Sequence, residues 1–253
     1  MALSDDAGNT WYSVSISGVG PIQMINSFGY GETIALTTTH CLLSTNGGTT
    51  WNSYTLDSSL GEINSNSTIV KCKHGSYAGR LIVAVNQTIS GSESRIVVSD
   101  DGGLSWTRKP TAFADNAWND VVECQHGSRV GRLVAVGMNE PYVMVSDDSG
   151  ETWSLKACAS SGVLQSVVEV TVGQYVGRLV AVGYSGNNVQ CSDDSGETWK
   201  LLSGDIVPMV GWNNIIECKV GQYSSRLIAC AWWDAGSGKR IMTSDPTNYL
   251  VAI

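Results

Sequence analysis

Between Trp118 and Ala159, apolar and polar residues come in short alternating bursts, and no stretch follows a helical period. Asn119 to His126 alternates and stops at Gly127, and the turn Ser128-Arg129-Val130-Gly131 follows. Arg132 to Gly137 is then a continuous apolar run. Tyr142 to Val145, reached through Pro141, is another, and Ser154 to Cys158 closes the set. Short alternating or apolar runs bounded by Gly, Asn, Asp and Ser read as strands, so four in succession predict an antiparallel meander, strands A to D from inside to outside.

The order recurs along the chain. Strand A is predicted near 21–28, 67–74, 119–126, 166–172 and 213–220. Strand B is predicted at Glu32 to Leu36, Arg80 to Ala84, Arg132 to Val136, Arg178 to Val182 and Arg226 to Cys230. A unit of this size cannot bury its apolar face alone and must stack on its neighbours. Radial repetition of four-stranded sheets is the β-propeller solution. The expected fold is all-β, one propeller domain over residues 1–253, with blades near 19–57, 62–112, 117–160, 164–203 and 210–253. The N-terminal strand, residues 11–16, is expected to close the last blade, because Asp245-Pro246 interrupts that unit and Val251 stands where a tryptophan is due. Residues 1–4 and 240–244 then compete for one C-strand place, and a six-bladed ring is the alternative.

The C–D junction carries a sharper signal. A serine, an acid or amide two positions on, a glycine two further and then a tryptophan recur as Ser4-Asp6-Gly8-Trp11, Ser44-Asn46-Gly48-Trp51, Ser99-Asp101-Gly103-Trp106, Ser146-Asp148-Gly150-Trp153 and Ser192-Asp194-Gly196-Trp199. Each residue has a turn-building role: Asp or Asn accepts backbone hydrogen bonds, glycine supplies a positive φ, and serine caps the turn. The tryptophan is the first buried anchor of strand D. Asn46 keeps the acceptor without the charge, which a structural turn permits. The acidic run Asp147-Asp148-Ser149-Gly150-Glu151 lacks the spacing of a calcium cage, so no metal and no cofactor are expected.

This frame resembles the Asp-box, or BNR repeat, of sialidases, sortilin-like receptors and photosystem assembly factors, and the likeness covers nearly the whole chain. The resemblance implies a propeller with one such box at each C–D turn, on the rim away from the usual ligand face.

Composition narrows the partners. Apolar residues make up 42% and charged residues 15%, enough for a sizeable core. A net charge of −8 disfavours nucleic acid and anionic membrane surfaces. Cys72, Cys124 and Cys218 share one repeat position with Val170, which marks a small buried apolar slot. Reduced thiols, and hence synthesis in a reducing cytosol, are the expectation for all seven cysteines. The start Met-Ala-Leu-Ser-Asp-Asp lacks the regions of a leader peptide. The expected location is a cytosol at synthesis and a virion or extracellular surface when mature, or otherwise the cytoplasm.

Arg80, Arg132, Arg178 and Arg226 invite a catalytic reading, because sialidases clamp a carboxylate with three arginines and the guanidinium fork suits that task. They hold one repeat position, however, and would form a circle on the box side. With Tyr77, Tyr175 and Tyr223 upstream they read as stacking pairs. Glu140 and Asp234 belong to non-adjacent blades and give no carboxylate pair across a glycosidic bond. His40, His74 and His126 form no triad. No catalytic residues are expected; a sialidase-type glycoside hydrolase is the rival reading and an intracellular assembly factor a second.

Binding is expected on the opposite rim, among the B–C loops and D–A connections. The candidates are Trp118, Asn119, Glu140, Tyr142, Tyr184, Asn187, Trp212, Asn213, Trp232, Trp233 and Asp234, aromatic faces beside amide and acid groups that suit sugar rings. Trp118 and Trp212 are repeat-equivalent and equally suited to filling the space between blades. Lys71, Glu123, Glu169 and Glu217 share one A-strand position, which predicts a solvated ring of ionisable groups, with Lys71 able to pair with Glu123. The expected function is a non-catalytic binding or assembly module, a phage virion, tail or fibre component contacting host glycan or another particle subunit within a homo-oligomer or larger assembly.

Overall fold

Each predicted meander folds as one antiparallel sheet with its strands side by side in chain order. The computed structural model describes residues 1–57, 68–85, 95–111, 117–138, 141–184, 189–202, 211–233, 241–244 and 250–252, the backbone alone for Trp233 and 250–252. A short hairpin, β1 (Ala2–Leu3) and β2 (Tyr12–Ser13), comes first. Blade 1 is β3 (Ile22–Gly29), β4 (Glu32–Thr37), β5 (His40–Ser44) and β6 (Asn52–Thr55). Blade 2 is β7 (Ile69–Lys71), β8 (Leu81–Ala84), β9 (Ile96–Ser99) and β10 (Thr107–Lys109). Blade 3 is β11 (Trp118–Glu123), β12 (Leu133–Gly137), β13 (Tyr142–Ser146) and β14 (Ser154–Ala157). Blade 4 is β15 (Val163–Glu169), β16 (Leu179–Tyr184), β17 (Val189–Ser192) and β18 (Lys200–Leu201). Blade 5 is β19 (Gly211–Glu217), β20 (Leu227–Trp233), β21 (Ile241–Ser244) and β22 (Leu250–Ala252). The five blades stand in a ring with their A strands around one channel, a five-bladed β-propeller.

The closing strand differs from the expectation. Blade 5 takes its fourth strand from β22, with Val251 opposite Thr243, while β1 and β2 pair only with each other. The edge of β21 is filled by the segment that follows it in the chain, and a short connection costs less closure entropy than recruiting the distant N-terminus. The Asp245-Pro246 interruption itself lies outside the described residues.

Strands B and C read as continuous apolar runs because both their faces are covered. Every residue of β8, β9 and β12 is buried. Four apolar clusters fill four boundaries: Leu36 and Cys41 of blade 1 with Val83 and Trp106 of blade 2, Ile82 and Ile96 with Trp118 and Trp153, Val134 and Val145 with Val167 and Leu179, and Val180 and Cys191 with Trp212 and Ile215. The repeat cysteine slot is real: the amides of Cys72, Cys124, Val170 and Cys218 all donate to the carbonyl of their own blade's B-strand arginine, each at 2.8 Å. Burial pushes the thiols of Cys41, Cys72 and Cys124 up to about 12, and none of the seven cysteines forms a disulfide.

The serine-to-tryptophan frame is one hydrogen-bonded unit used five times. Ser146 Oγ donates to Asp148 Oδ1 and accepts from the Gly150 amide, both at 2.8 Å. Asp148 then accepts from the Thr152 amide at 2.8 Å and the Thr152 hydroxyl at 2.5 Å, while Trp153 Nε1 donates to the Gly150 carbonyl at 3.2 Å. Ser149 and Gly150 both lie at positive φ, 57° and 87°, and so one of the two must be glycine or pay local strain. Asn46 reproduces the pattern with its amide, accepting from Ser44 and Thr50 through Oδ1 and donating from Nδ2 to Thr50 Oγ1 at 2.8 Å. The hydroxyl residue at the fourth place after the acid (Thr10, Thr50, Ser105, Thr152, Thr198) was not singled out from sequence, although the repeat displays it.

What separates the copies is cover. Trp153 is 9% exposed against the preceding blade, whereas Trp11 of the N-terminal hairpin is 65% exposed. Trp153→Ala is expected to cost about 3–5 kcal/mol by loss of a large packed side chain, and Trp11→Ala about 0.5 kcal/mol or less as a surface change. Urea unfolding of the two variants checks this; equal losses would contradict the packing account.

Candidate functional site

The four B-strand arginines stand at the turn end of the ring, where Arg80 and Arg132 join blades. Arg80 holds both oxygens of Asp100 in its own blade, at 2.6 and 2.9 Å, and reaches Glu151 of blade 3 at 2.6 Å. Arg132 repeats this with Asp147, at 2.7 and 2.6 Å, and Glu197 of blade 4 at 2.6 Å. Arg178 holds Asp193 at 2.6 and 3.2 Å. Arg80, Arg178 and Arg226 stack on Tyr77, Tyr175 and Tyr223, with the guanidinium carbon 3.6, 4.0 and 4.5 Å from the ring centre. Burial opposes the charge on Arg80 and Arg132, but hydrogen bonds to their acids outweigh it and raise both pKa values. Glu197 is pushed down to about 2 by Lys156, at 2.6 Å, and by Arg132.

The acidic run of blade 3 is therefore three separate devices. Asp147 pairs with Arg132, Asp148 builds the turn, and Glu151 bridges to Arg80 and Lys109. The sequence did carry this signal. Asp100, Asp147 and Asp193 occur where strand B opens with arginine, whereas blade 1 opens strand B with Glu32 and has Thr45 at the matching place.

Glu123 and Glu169 are buried caps and Glu217 a half-buried one, a correction to the expected solvated ring. Glu123 accepts from the amides of Lys73, at 3.0 and 2.8 Å, and His74, at 2.9 Å, in the A–B turn of blade 2. Glu169 does the same for Gln125 and His126 of blade 3, and Glu217 for Thr171 and Val172 of blade 4. Lys71 does not pair with Glu123. Its ammonium meets Glu32 of blade 1 at 2.6 Å, because the short turn at Tyr30 in blade 1 brings that carboxylate, rather than a row of amides, to the place.

Within the channel a cavity of about 520 Å³ is lined by Asn26, Thr68, Asn119, Asp120, Ser166, Asn213 and neighbours from all five A strands. Asp120 is buried there. It accepts from Ser166 Oγ at 2.8 Å, from the Val167 amide at 2.9 Å and from the Val121 amide at 2.8 Å, yet desolvation still raises its pKa. These donors tie blade 3 to blade 4. Among the described residues, no group of three or more His, Cys, Asp or Glu could hold a metal ion.

The rim candidates divide. Trp118 and Trp212 are fully buried in the inter-blade clusters, so they are not ligand residues; each fills the wedge beside the preceding blade. Asn119 is also buried, its amide donating to the Leu164 carbonyl at 2.8 Å. Asn213 is exposed on the channel wall and Tyr142 is exposed at the start of strand C. Tyr184 and Trp232, from neighbouring B strands, meet edge to face with ring centres 6.3 Å apart. Glu140, Asn187 and Asp234 lie outside the described residues, as does the Trp233 side chain.

No protein-family model matches this chain, and no curated protein matches it. Solved structures do match, and the three that follow are 14 to 16% identical to this chain. A structure of YCF48 bound to D1 peptide is similar over 92% of this chain and 69% of that one, at 16% identity and a TM-score of 0.63. Virginiamycin B lyase from Staphylococcus aureus is similar over 96% and 73%, at 14% identity and a TM-score of 0.63. A GH74 xyloglucanase from Xanthomonas campestris is similar over 88% of this chain but only 36% of its own length, at 14% identity and a TM-score of 0.61. These likenesses establish the propeller fold and include binding proteins as well as enzymes.

The arginine bridges have an acid limit. Glu197 has a folded pKa below its ordinary 4.5, so its contribution is full above that value and is lost as pH falls from about 4.5 to about 2. Wild type is expected to lose urea resistance over that window more steeply than Glu197→Gln. Parallel curves would remove the bridge from the account.

Proposed function

We propose that this propeller is a non-catalytic binding module of the Asp-box type, working through the rim opposite its tight turns. The observation that carries the reading is the Tyr184–Trp232 pair: Trp232 is 63% exposed although it belongs to a strand whose inner residues are core. An exposed indole held against a second ring gives a preorganised apolar surface, and Asn213 on the nearby channel wall supplies an exposed amide. Such a surface suits the C–H face of a sugar or a side chain of a protein partner. The arginines that a carboxylate clamp would need are engaged with Asp100, Asp147, Asp193 and the tyrosines, which supports a binding role over glycoside hydrolysis. YCF48, bound to a peptide in its structure, is a precedent for a binding propeller of this shape. The setting we propose is a phage particle surface, where a chain whose seven cysteines form no disulfide is folded in a reducing cytosol and then meets host glycan or another particle subunit.

A glycan array with a sialidase assay alongside tests the reading. Trp232→Ala is expected to weaken any retained glycan at least tenfold without moving the melting temperature, with no turnover of sialosides by either protein. Unchanged array signal, or measurable hydrolysis, would refute it.

A further inference from the structure

The seam between blade 5 and blade 1 is built unlike the other four boundaries. At the A-strand position that faces the preceding blade, Ile69, Val121, Val167 and Ile215 are 1, 2, 5 and 3% exposed, but Ile25 is 52% exposed. These residues are equivalent by register, each pairing with the matching B-strand residue: Ile25 with Ala35, Ile69 with Val83, Val121 with Ala135, Val167 with Ala181 and Ile215 with Ala229. Across the seam, blade 5 presents Cys230, which is exposed, and Ile241, at 48%, where Ala84 and Ile96 of blade 2 are wholly buried. Among the described residues no apolar cluster joins the two sides.

The N-terminal hairpin stands against blade 1 on this side. Leu3 pairs with Tyr12 as Val98 pairs with Thr107, so β1 and β2 have the register of a C–D pair. A Cβ on Gly48 would stand 3.1 Å from Leu3, as one on Gly103 would from Leu43 of the blade before it. The hairpin thus sits against blade 1 as the C–D half of a preceding blade would, and among the described residues no A or B strand pairs with the inner edge of β1.

We propose that this seam is a docking site for a two-stranded hairpin of the A–B type carried by a separate polypeptide. The hairpin would pair along the free edge of β1 and complete a sixth blade. The molecule shows the required complement at its other boundaries, where A–B strands cover faces equivalent to these. The partner's A strand would bring apolar residues to Ile228 and Cys230, as Trp118 and Val121 come to blade 2, and would cover Ile25 from its far side. It would also bring a glutamate at the place of Glu123, to cap the amides of Lys219 and Val220. Blade 1 has Ser27 at that place, opposite Thr33 as Glu123 is opposite Leu133, and so brings no carboxylate there. Its B strand would open with an arginine for Asp5, which holds the position of Asp100, Asp147 and Asp193. A second copy of this chain is the poorer source, because each of its five A–B pairs is already built into a sheet. Strand addition to an open edge, with main-chain bonds for affinity and alternate side chains for specificity, is an established mode of recognition.

The full-length protein can be tested with a synthetic peptide of residues 117–138 carrying Cys124→Val, since Val170 already serves at that place. Cys230 is the readout, because it is the exposed thiol on the seam. Maleimide is expected to label Cys230 in the free protein, and the peptide to slow labelling at least tenfold. Ile25→Glu and Ile241→Lys, both at exposed positions, are expected to abolish protection, and Glu123→Gln within the peptide to weaken it. The proposal is overturned if Cys230 resists label in the free protein, which would mean that blades 5 and 1 meet directly. It is also overturned if the peptide gives no protection at millimolar concentration, if both seam variants remain protected, or if protection rises with protein concentration alone, which would make a second copy the occupant.

Discussion

Strands B and C of blades 2 to 4 are apolar on both sides, and water on either side would cost each sheet about 25 cal/mol for every Å² left uncovered. That constraint orders the rest of the molecule. A blade gains stability from each neighbour that covers one of its faces, and the polar devices at the turns hold such neighbours at one spacing and one tilt. The glutamates of strand A and the arginines of strand B do this from two radii. Glu123 and Glu169 fix the channel side by capping the amides of the preceding turn, while Arg80 and Arg132 fix the next radius out by reaching the acid of the following frame. A carboxylate that accepts two neighbouring backbone amides fixes their direction as well as their distance, which makes these caps directional.

The boundary between blades 1 and 2 shows that the contact matters more than its sign. Glu32 stands at the arginine position of blade 1 and Lys71 at the glutamate position of blade 2, so both charges are inverted and the two meet as one ion pair. Neither inversion would work alone. Lys71 opposite an arginine would repel it, and a glutamate opposite Glu32 would do the same. The frame of blade 2 is altered to match, with Leu104 where blades 3 and 4 have Glu151 and Glu197. Repeat proteins gain stability mainly through nearest-neighbour interfaces, which lets one boundary change its chemistry without disturbing the next.

Much of the fold was legible because its signals are local and repeated. Alternation, glycine-bounded runs and the five tryptophan-ended turns fix strand order before any long-range contact is known, and they narrow the blade number to five with six as the alternative. The tyrosine–arginine stacks were legible for the same reason. The closing strand was not, because the choice between Leu250–Ala252 and the N-terminal hairpin depends on which segment reaches an edge first, a matter of chain connection rather than residue pattern. Trp118 and Asn119 show the limit for the site: an aromatic beside an amide reads the same whether it faces sugar or the next sheet. Only the position of the neighbouring blade decides, and that is a tertiary fact. Glu123 was misjudged for a related reason, since its partners are backbone amides 49 and 50 residues away, which no side-chain pattern announces.

The thiols of Cys41, Cys72 and Cys124 carry a consequence for reactivity. With pKa values near 12, only on the order of one in 10⁵ is ionised at neutral pH, and the thiolate is the form that attacks oxidants and disulfides. These three sulfurs therefore serve as packing atoms and offer almost no nucleophile, which leaves thiol chemistry to the exposed Cys230.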